Sequence, residues 1–368
     1  MSLISSLAIQ GIQVAESILA HLQIIPHLHF ELEGGYIPQK NDPPLNYQAI
    51  NNRLKQLHIP GELKPEYWNH QWEYVSLFSG QTPLEEAHYL AEVFQLLPKL
   101  IKQYGASEVL IKPILWFGDQ GRLQEGCKNI FTQSRAAVHI PNAIQLNLSL
   151  ESQDNNLMAE GDLALKIQRN LLETSYGCCL LFLPDEESYQ RLALKKNFNL
   201  SKELTSPHAL SGGRQGSIAL YRELGKHGQA IGPVTLIVDA SQRVISSENR
   251  WQQFARIEHR LGASSLQYNP YINILFALMN VLDVLCHKSQ DVATEDFIEK
   301  ALPKTLFNSD TGMGSWQLFK KDNWFNQQLN EMVLLAKSQS SCFNEVNNRL
   351  GDDLKAAVLQ HYQQEIVF

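Results

Sequence analysis

The sequence predicts an α+β fold in which an antiparallel sheet is flanked by helices. Segments with strand-like alternation fall at 28–36, 71–78, 108–116, 143–150 and 254–261. Helical patterns near 160–174 and 270–287, and from Asp322 onward, are interspersed without a repeated βαβ rhythm, which argues against a doubly wound sheet. In three of the strands the apolar residues hold one face and the polar residues the other, as in antiparallel sheets packed on one side only.

The elements follow in order. Residues 1–26 carry Gln10, Gln13, Glu16 and His21 among apolar residues and lack a basic leader, so they read as an amphipathic helix and not as a signal peptide. The stretch from Pro38 to Pro65, with Pro43-Pro44 and Pro60-Gly61, reads as a surface excursion between strands. Thr82-Pro83-Leu84-Glu85 opens a helix: Thr82 caps it, Pro83 takes its first position and Glu85 closes a capping box. That helix runs through Leu97, with a kink possible at Pro98, and stops near Gly105. Trp316, Trp324 and Phe325 near the end read as packing residues.

Composition bounds the function. With 368 residues, the length prior of roughly 150 residues per domain allows two domains or one large one. A hydrophobic share of 44% excludes a disordered chain. A net charge of -7 without a long basic run argues against nucleic-acid binding, so no nucleic-acid partner is expected. No stretch approaches ~18 uninterrupted apolar residues, the length that spans a membrane. The five cysteines, Cys127, Cys178, Cys179, Cys286 and Cys342, have neither zinc nor redox spacing, so a reducing, cytoplasmic setting is expected.

Residues two apart share a strand face. In His27–Glu33 this separates Leu28, Phe30 and Leu32 from His29, Glu31 and Glu33. In Ile144–Leu150 it separates the aliphatic residues from Gln145, Asn147 and Ser149. In Arg256–Arg260 one face carries Arg256, Glu258 and Arg260. Such faces are often merely solvated. Taken together, however, paired carboxylates suit a hard divalent cation, and arginines flanking a glutamate suit phosphate. These are the parts of a phosphoryl-transfer site. The histidines nearby, His27, His58, His70 and His88, read as hydrogen-bonded packing residues, whereas His29 shares the Glu31/Glu33 face.

These residues carry a resemblance. Arg256-Ile-Glu-His-Arg260 followed by Asn269-Pro270-Tyr271 resembles the R-I-E-x-R and N-P-Y-L signature of glutamine synthetase. Ser188-Tyr189-Gln190-Arg191-Leu192 resembles that family's N-S-Y-K-R-L segment, Phe30-Glu31-Leu32-Glu33 its E-x-E metal strand, and Glu66 through Gln71-Trp72-Glu73 its G-Q-x-E segment at tighter spacing. The order of matches runs through nearly the whole chain. The resemblance implies one catalytic domain over residues 1–368, built on a curved antiparallel sheet with flanking helices. It leaves no room for the family's N-terminal β-grasp domain, nor for its interlocked ring, although another homo-oligomer is compatible with it.

The chemistry implied by the resemblance is ATP-dependent joining of a carboxylate and an amine through an acyl phosphate, with Mg²⁺ or Mn²⁺ and an amino acid such as glutamate. Glu33, Glu66 and Glu73 match the ligands of the metal beside the amino acid, while Glu31 and Glu258 match ligands of the metal on the ATP phosphates. Arg256 and Arg191 match contacts to nucleotide phosphate and substrate carboxylate, and Arg260 one to the transferred phosphoryl group. There are departures. Gln145 stands where a metal-binding histidine is expected and Asn147 where a second histidine is expected. Of the phosphate-gripping arginines only Arg214 is present, off register, with Gly216 at an arginine position. The flap glutamate matches Thr205 or, with a shift, Glu203, and an insertion spans Arg222 to Arg250. A second reading is therefore kept: a non-catalytic relative that binds nucleotide, metal or amino acid and acts through a partner.

Overall fold

The structure is a computed structural model that describes residues 2–39, 44–66, 68, 70–77, 80–116, 139–152, 155–194, 203–205, 210–211, 214–215, 217–222, 255–286 and 298–365. Helix α1 spans Leu3–His21 and strand β1 spans Ile25–Pro38. The excursion expected from Pro38 to Pro65 contains structure of its own, a helix α2 (Tyr47–Gln56) and a strand β2 (Gly61–Pro65). Asn51 explains why they form together. Its side chain donates to the Leu63 carbonyl at 3.0 Å and accepts from the Leu63 N–H at 2.7 Å, which clips the helix to the strand.

Strand β3 (Gln71–Ser76) leads to helix α3 (Pro83–Gln103), whose Thr82–Glu85 capping box forms as the sequence predicts. Pro98 is accommodated inside this helix. The single strand expected at 108–116 is instead β4 (Ala106–Leu110) and β5 (Ile114–Trp116), broken at Lys112-Pro113 because proline supplies no ladder N–H. There follow β6 (His139–Pro141), β7 (Ile144–Ser152), β8 (Asn155–Asn156), α4 (Leu163–Gly177) and α5 (Glu186–Leu194). Short strands β9 (Leu210–Ser211) and β10 (Arg214–Gln215) precede β11 (Ile218–Tyr221) and β12 (Arg256–His259). The C-terminal part is helical: α6 (Pro270–Cys286), α7 (Ser315–Lys321), α8 (Trp324–Gln339) and α9 (Leu350–Glu365).

The main sheet runs β11-β12-β7-β1-β3-β2, with β4 also paired to β1 and β8 to β7, and its pairings are antiparallel. The sheet is open. Its apolar face carries Leu28, Phe30, Leu32, Leu146, Leu148 and Ile257, all buried. Against Leu146, Leu148 and Ile257 pack Leu171 of α4 and Phe276 and Ala277 of α6, leaving a cavity of only about 10 Å³. The fold therefore has one dry face, and the polar face is left for chemistry.

Helix α1 is long and apolar enough to cross a membrane by length and composition alone. One side of it (Ala8, Gly11, Ile12, Ala15, Ile18, Leu19) is buried, packed against α6 and α8. Gly11 permits this approach: a Cβ there would lie 2.7 Å from the Leu275 side chain. Cys178 and Cys179 are buried thiols, Cys286 and Cys342 are exposed, and Cys127 lies outside the described residues.

Candidate functional site

Strand β7 lies between β12 and β1, and the registers arrange the polar side chains in rows across the three. Glu258, Asn147 and His29 form one row. Gln145 faces Glu31 in the next, and Glu33, Glu73 and Lys64 follow across β1, β3 and β2. Side chains directly opposite on one face have Cβ atoms about 4.5–5.5 Å apart, so these rows are close enough to interact. The Glu66 N–H donates to the Gln71 carbonyl at 3.1 Å, extending the β2–β3 pairing past Pro65, and alternation then puts Glu66 at the end of the same face. The turn before Gln71 holds His70 at φ 62, a left-handed backbone where the resembling motif has glycine. Its ring sits edge-on to Tyr36, 5.2 Å between centroids.

The amides bind the acids. Gln145 donates from Nε2 to Glu33 Oε1 at 3.1 Å, and the Ala143 backbone N–H donates to Glu33 Oε2 at 2.7 Å. Asn147 donates from Nδ2 to Glu31 Oε1 at 3.1 Å and accepts at Oδ1 from Arg256 Nε at 2.9 Å. Arg256 lies over the Tyr221 ring, 4.9 Å from its centroid. Arg260 approaches Glu258, with Nε 3.9 Å from Oε2. From α5, Arg191 donates to the Leu261 carbonyl at 3.2 Å.

Burial decides the electrostatics. Glu258 and Asn147 are fully enclosed, Arg256 is 1% exposed, and Glu31, Gln145 and Arg191 are also buried. Burial pulls the Arg191 guanidinium down to about 10; nearby Glu33 opposes this shift and Arg260 adds to it. Arg256 is likewise lowered by burial, while Glu258, Glu31 and Tyr221 work the other way. An arginine at about 10 is still charged at neutral pH. Glu31, Glu33 and Glu258 thus meet Arg191, Arg256 and Arg260, three carboxylates against three guanidiniums.

Comparison with protein families and with curated proteins finds no match. Comparison with solved structures does. A structure described as a novel glutamine synthase homolog superposes with a TM-score of 0.56 at 14% identity, covering 96% of this chain and 74% of that one. Plasmodium falciparum glutamine synthetase gives 0.55 at 13% identity, covering 98% and 76%. An ADP complex of GmaS gives 0.54 at 13%, covering 98% and 73%. The fold is that of glutamine synthetase.

Within this glutamine-synthetase-like fold, the residues singled out from the sequence divide into three groups. Glu31, Glu33, Glu73, Glu258, Gln145 and Arg256 share the polar face, and Arg191 is electrostatically in reach of Glu33 and Arg260. Arg214 lies in β10, though its side chain is outside what the structure describes, and Gly216 lies outside the described residues. Glu203 is engaged elsewhere: its carboxylate accepts the Leu302 N–H at 2.8 Å, beside the Leu204–Lys300 bridge. His27 hydrogen-bonds Glu151 at 2.7 Å, and His88 hydrogen-bonds the Leu84 carbonyl at 2.8 Å. Tyr221 beneath Arg256, and Ser264, whose Oγ donates to the Glu33 carbonyl at 2.6 Å, have no counterpart in the sequence reading. Tyr221 alternates with Ala219 along β11, and recognising that strand was the only signal that pointed to it.

The fold family uses divalent metal, and the donor set here fits it at one position and not at the other. Among the described residues no group of three or more His, Cys, Asp or Glu side chains is gathered to hold a metal ion. Mg²⁺, however, commonly binds one or two carboxylates and completes its shell with phosphate oxygens and water. Glu33 directly opposite Glu73, with Glu66 beyond, offers such a set. Around Glu31 and Glu258 the equivalent space is taken up by Asn147 and Arg256.

Proposed function

We propose that this protein is an ATP-dependent carboxylate–amine ligase of glutamine-synthetase type, acting on glutamate or a related amino acid. The observation that carries the reading is the convergence of Arg191, Arg256 and Arg260 with Glu31, Glu33 and Glu258 on one face of a glutamine-synthetase-like sheet. Guanidiniums bind phosphate and carboxylate oxygens in paired hydrogen bonds and neutralise the charge of a phosphoryl group in transit.

Arg256, stacked on Tyr221 and fixed by Asn147, holds nucleotide phosphate. Arg260, about one-fifth exposed beside fully enclosed Glu258, faces the phosphoryl group being transferred. Arg191 receives the carboxylate of the amino acid. Glu33 and Glu73, with Glu66, hold Mg²⁺ or Mn²⁺, which supplies charge neutralisation for the phosphates. The substrate carboxylate oxygen attacks the γ-phosphorus and ADP leaves; the amine then attacks the acyl carbon, and phosphate departs with that oxygen. The partners of this reading are small molecules.

The second reading, a non-catalytic binding protein, is favoured by one observation. Glu31 and Glu33 already accept amide hydrogen bonds and Glu258 lies beside Arg256 and Arg260, so these three acids have counterparts within the protein. Calorimetry with ATP and Mg²⁺, followed by ADP measurement over a panel of amino acids and amines, separates the two. The ligase reading expects nucleotide binding and ADP formation that Arg260→Ala abolishes. Binding without ADP formation across the panel would favour the second reading.

A further inference from the structure

We propose that the bridge from Glu31 through Asn147 to Arg256, flanked by Glu258, stands in place of one divalent cation, so that this chain works with no more than one metal ion at its polar face. The inference rests on the glutamine-synthetase-type reading for its location, but not on any turnover.

Hydrogen-bond chemistry fixes the bridge. A carboxylate only accepts and a guanidinium only donates. Asn147 lies between one of each, giving its Nδ2 to Glu31 at 3.1 Å and taking Arg256 Nε on its Oδ1 at 2.9 Å. The amide therefore has one allowed orientation. Turning Oδ1 toward a cation beside Glu31 would set carbonyl oxygen against carboxylate and NH₂ against guanidinium. An imidazole at this position would offer one lone pair, which suits a metal. An amide offers a donor and an acceptor at once, which suits a bridge between opposite charges.

The surroundings reinforce this. Asn147 faces Glu258 across β12 and His29 across β1, and all four groups of the cluster are buried. Arg256 interacts electrostatically with both Glu258 and Glu31, and Arg260 approaches Glu258, so two resident positive charges already answer these two acids. A dication entering here would meet these guanidiniums in a poorly solvated space and would have to shed its water. Glu33 differs. It is only half-buried, it accepts a backbone N–H and the Gln145 amide, Arg191 acts on it from α5, and a second carboxylate, Glu73, lies directly across. At this end Glu33, Glu66 and Glu73 outnumber Arg191 and Lys64, which leaves charge that an exchangeable cation would answer, whereas at the other end guanidiniums already do so.

Manganese counts the sites. Mn²⁺ titration of the full chain, followed by calorimetry and electron paramagnetic resonance with a non-hydrolysable ATP analogue present, should give at most one equivalent and a spectrum without spin coupling between ions. Glu31→Gln should leave the count unchanged. Two equivalents, spin-coupled or with one lost in Glu31→Gln, would overturn the proposal. Two uncoupled equivalents that survive Glu31→Gln also exceed the expected count and overturn it. Glu258→Gln is the second probe if Glu31→Gln does not fold, and the wild-type spectrum decides without either variant. A count of one with no ADP formation removes the ligase reading and leaves the bridge standing.

Discussion

At the residue scale, Asn147 and Gln145 change what the glutamates mean. Five acids brought to one face look unstable without a cation, because buried unpaired charge is costly. The side chains show another solution, in which amides and arginines absorb the charge within the protein. The residue identities were legible in the sequence, but the partnerships were not, since Asn147 and Glu31 are 116 residues apart in the chain. A second buried acid gives a test of the same electrostatics. Glu86, at the start of α3, is fully buried; burial raises its carboxyl to about 7, against the stabilising bonds from Ser76, Gln81 and the Phe30 backbone. The folded protein therefore holds this proton more tightly than the unfolded chain, and stability falls as pH rises from about 4.5 through about 7. The difference is on the order of 3 kcal/mol. Thermal unfolding of wild type should lose stability relative to Glu86→Gln between pH 5 and pH 8; a pH-independent gap between them would contradict this assignment.

At the element scale, period-two alternation was the strongest signal. It separated the polar and apolar faces of β1, β7 and β12 correctly, because a sheet dry on one side must alternate. Boundaries followed local chemistry less faithfully. β4 and β5 split at Lys112-Pro113, and the proline-rich excursion concealed α2 and β2, whose formation depends on the contact of Asn51 with Leu63. Strand β11 escaped notice because its pairing partner β12 comes after a long intervening segment. Packing between β1 and β3 sets a sharp limit at Gly34, where an added Cβ would lie 2.3 Å from the Trp72 ring. Gly34→Ala should cost about 1–3 kcal/mol, the usual range for overpacking a core. Chemical denaturation checks this, and an unchanged midpoint would show that Trp72 can move aside.

At the scale of the whole molecule, the helices bury the apolar face of an open antiparallel sheet and the opposite face presents acids and arginines. That division is what the glutamine-synthetase-like fold provides. Fold similarity at 13–14% identity carries the architecture, while the chemistry rests on side chains of this chain. The central claim is that a substrate carboxylate takes the γ-phosphoryl group and then surrenders an oxygen to phosphate. The direct test is to supply the amino acid with its side-chain carboxylate labelled with ¹⁸O, together with ATP, Mg²⁺ and an amine, and to weigh the phosphate released. One labelled oxygen in each phosphate is the result predicted here. Unlabelled phosphate, which would mean attack by water on ATP, or no phosphate at all would contradict it.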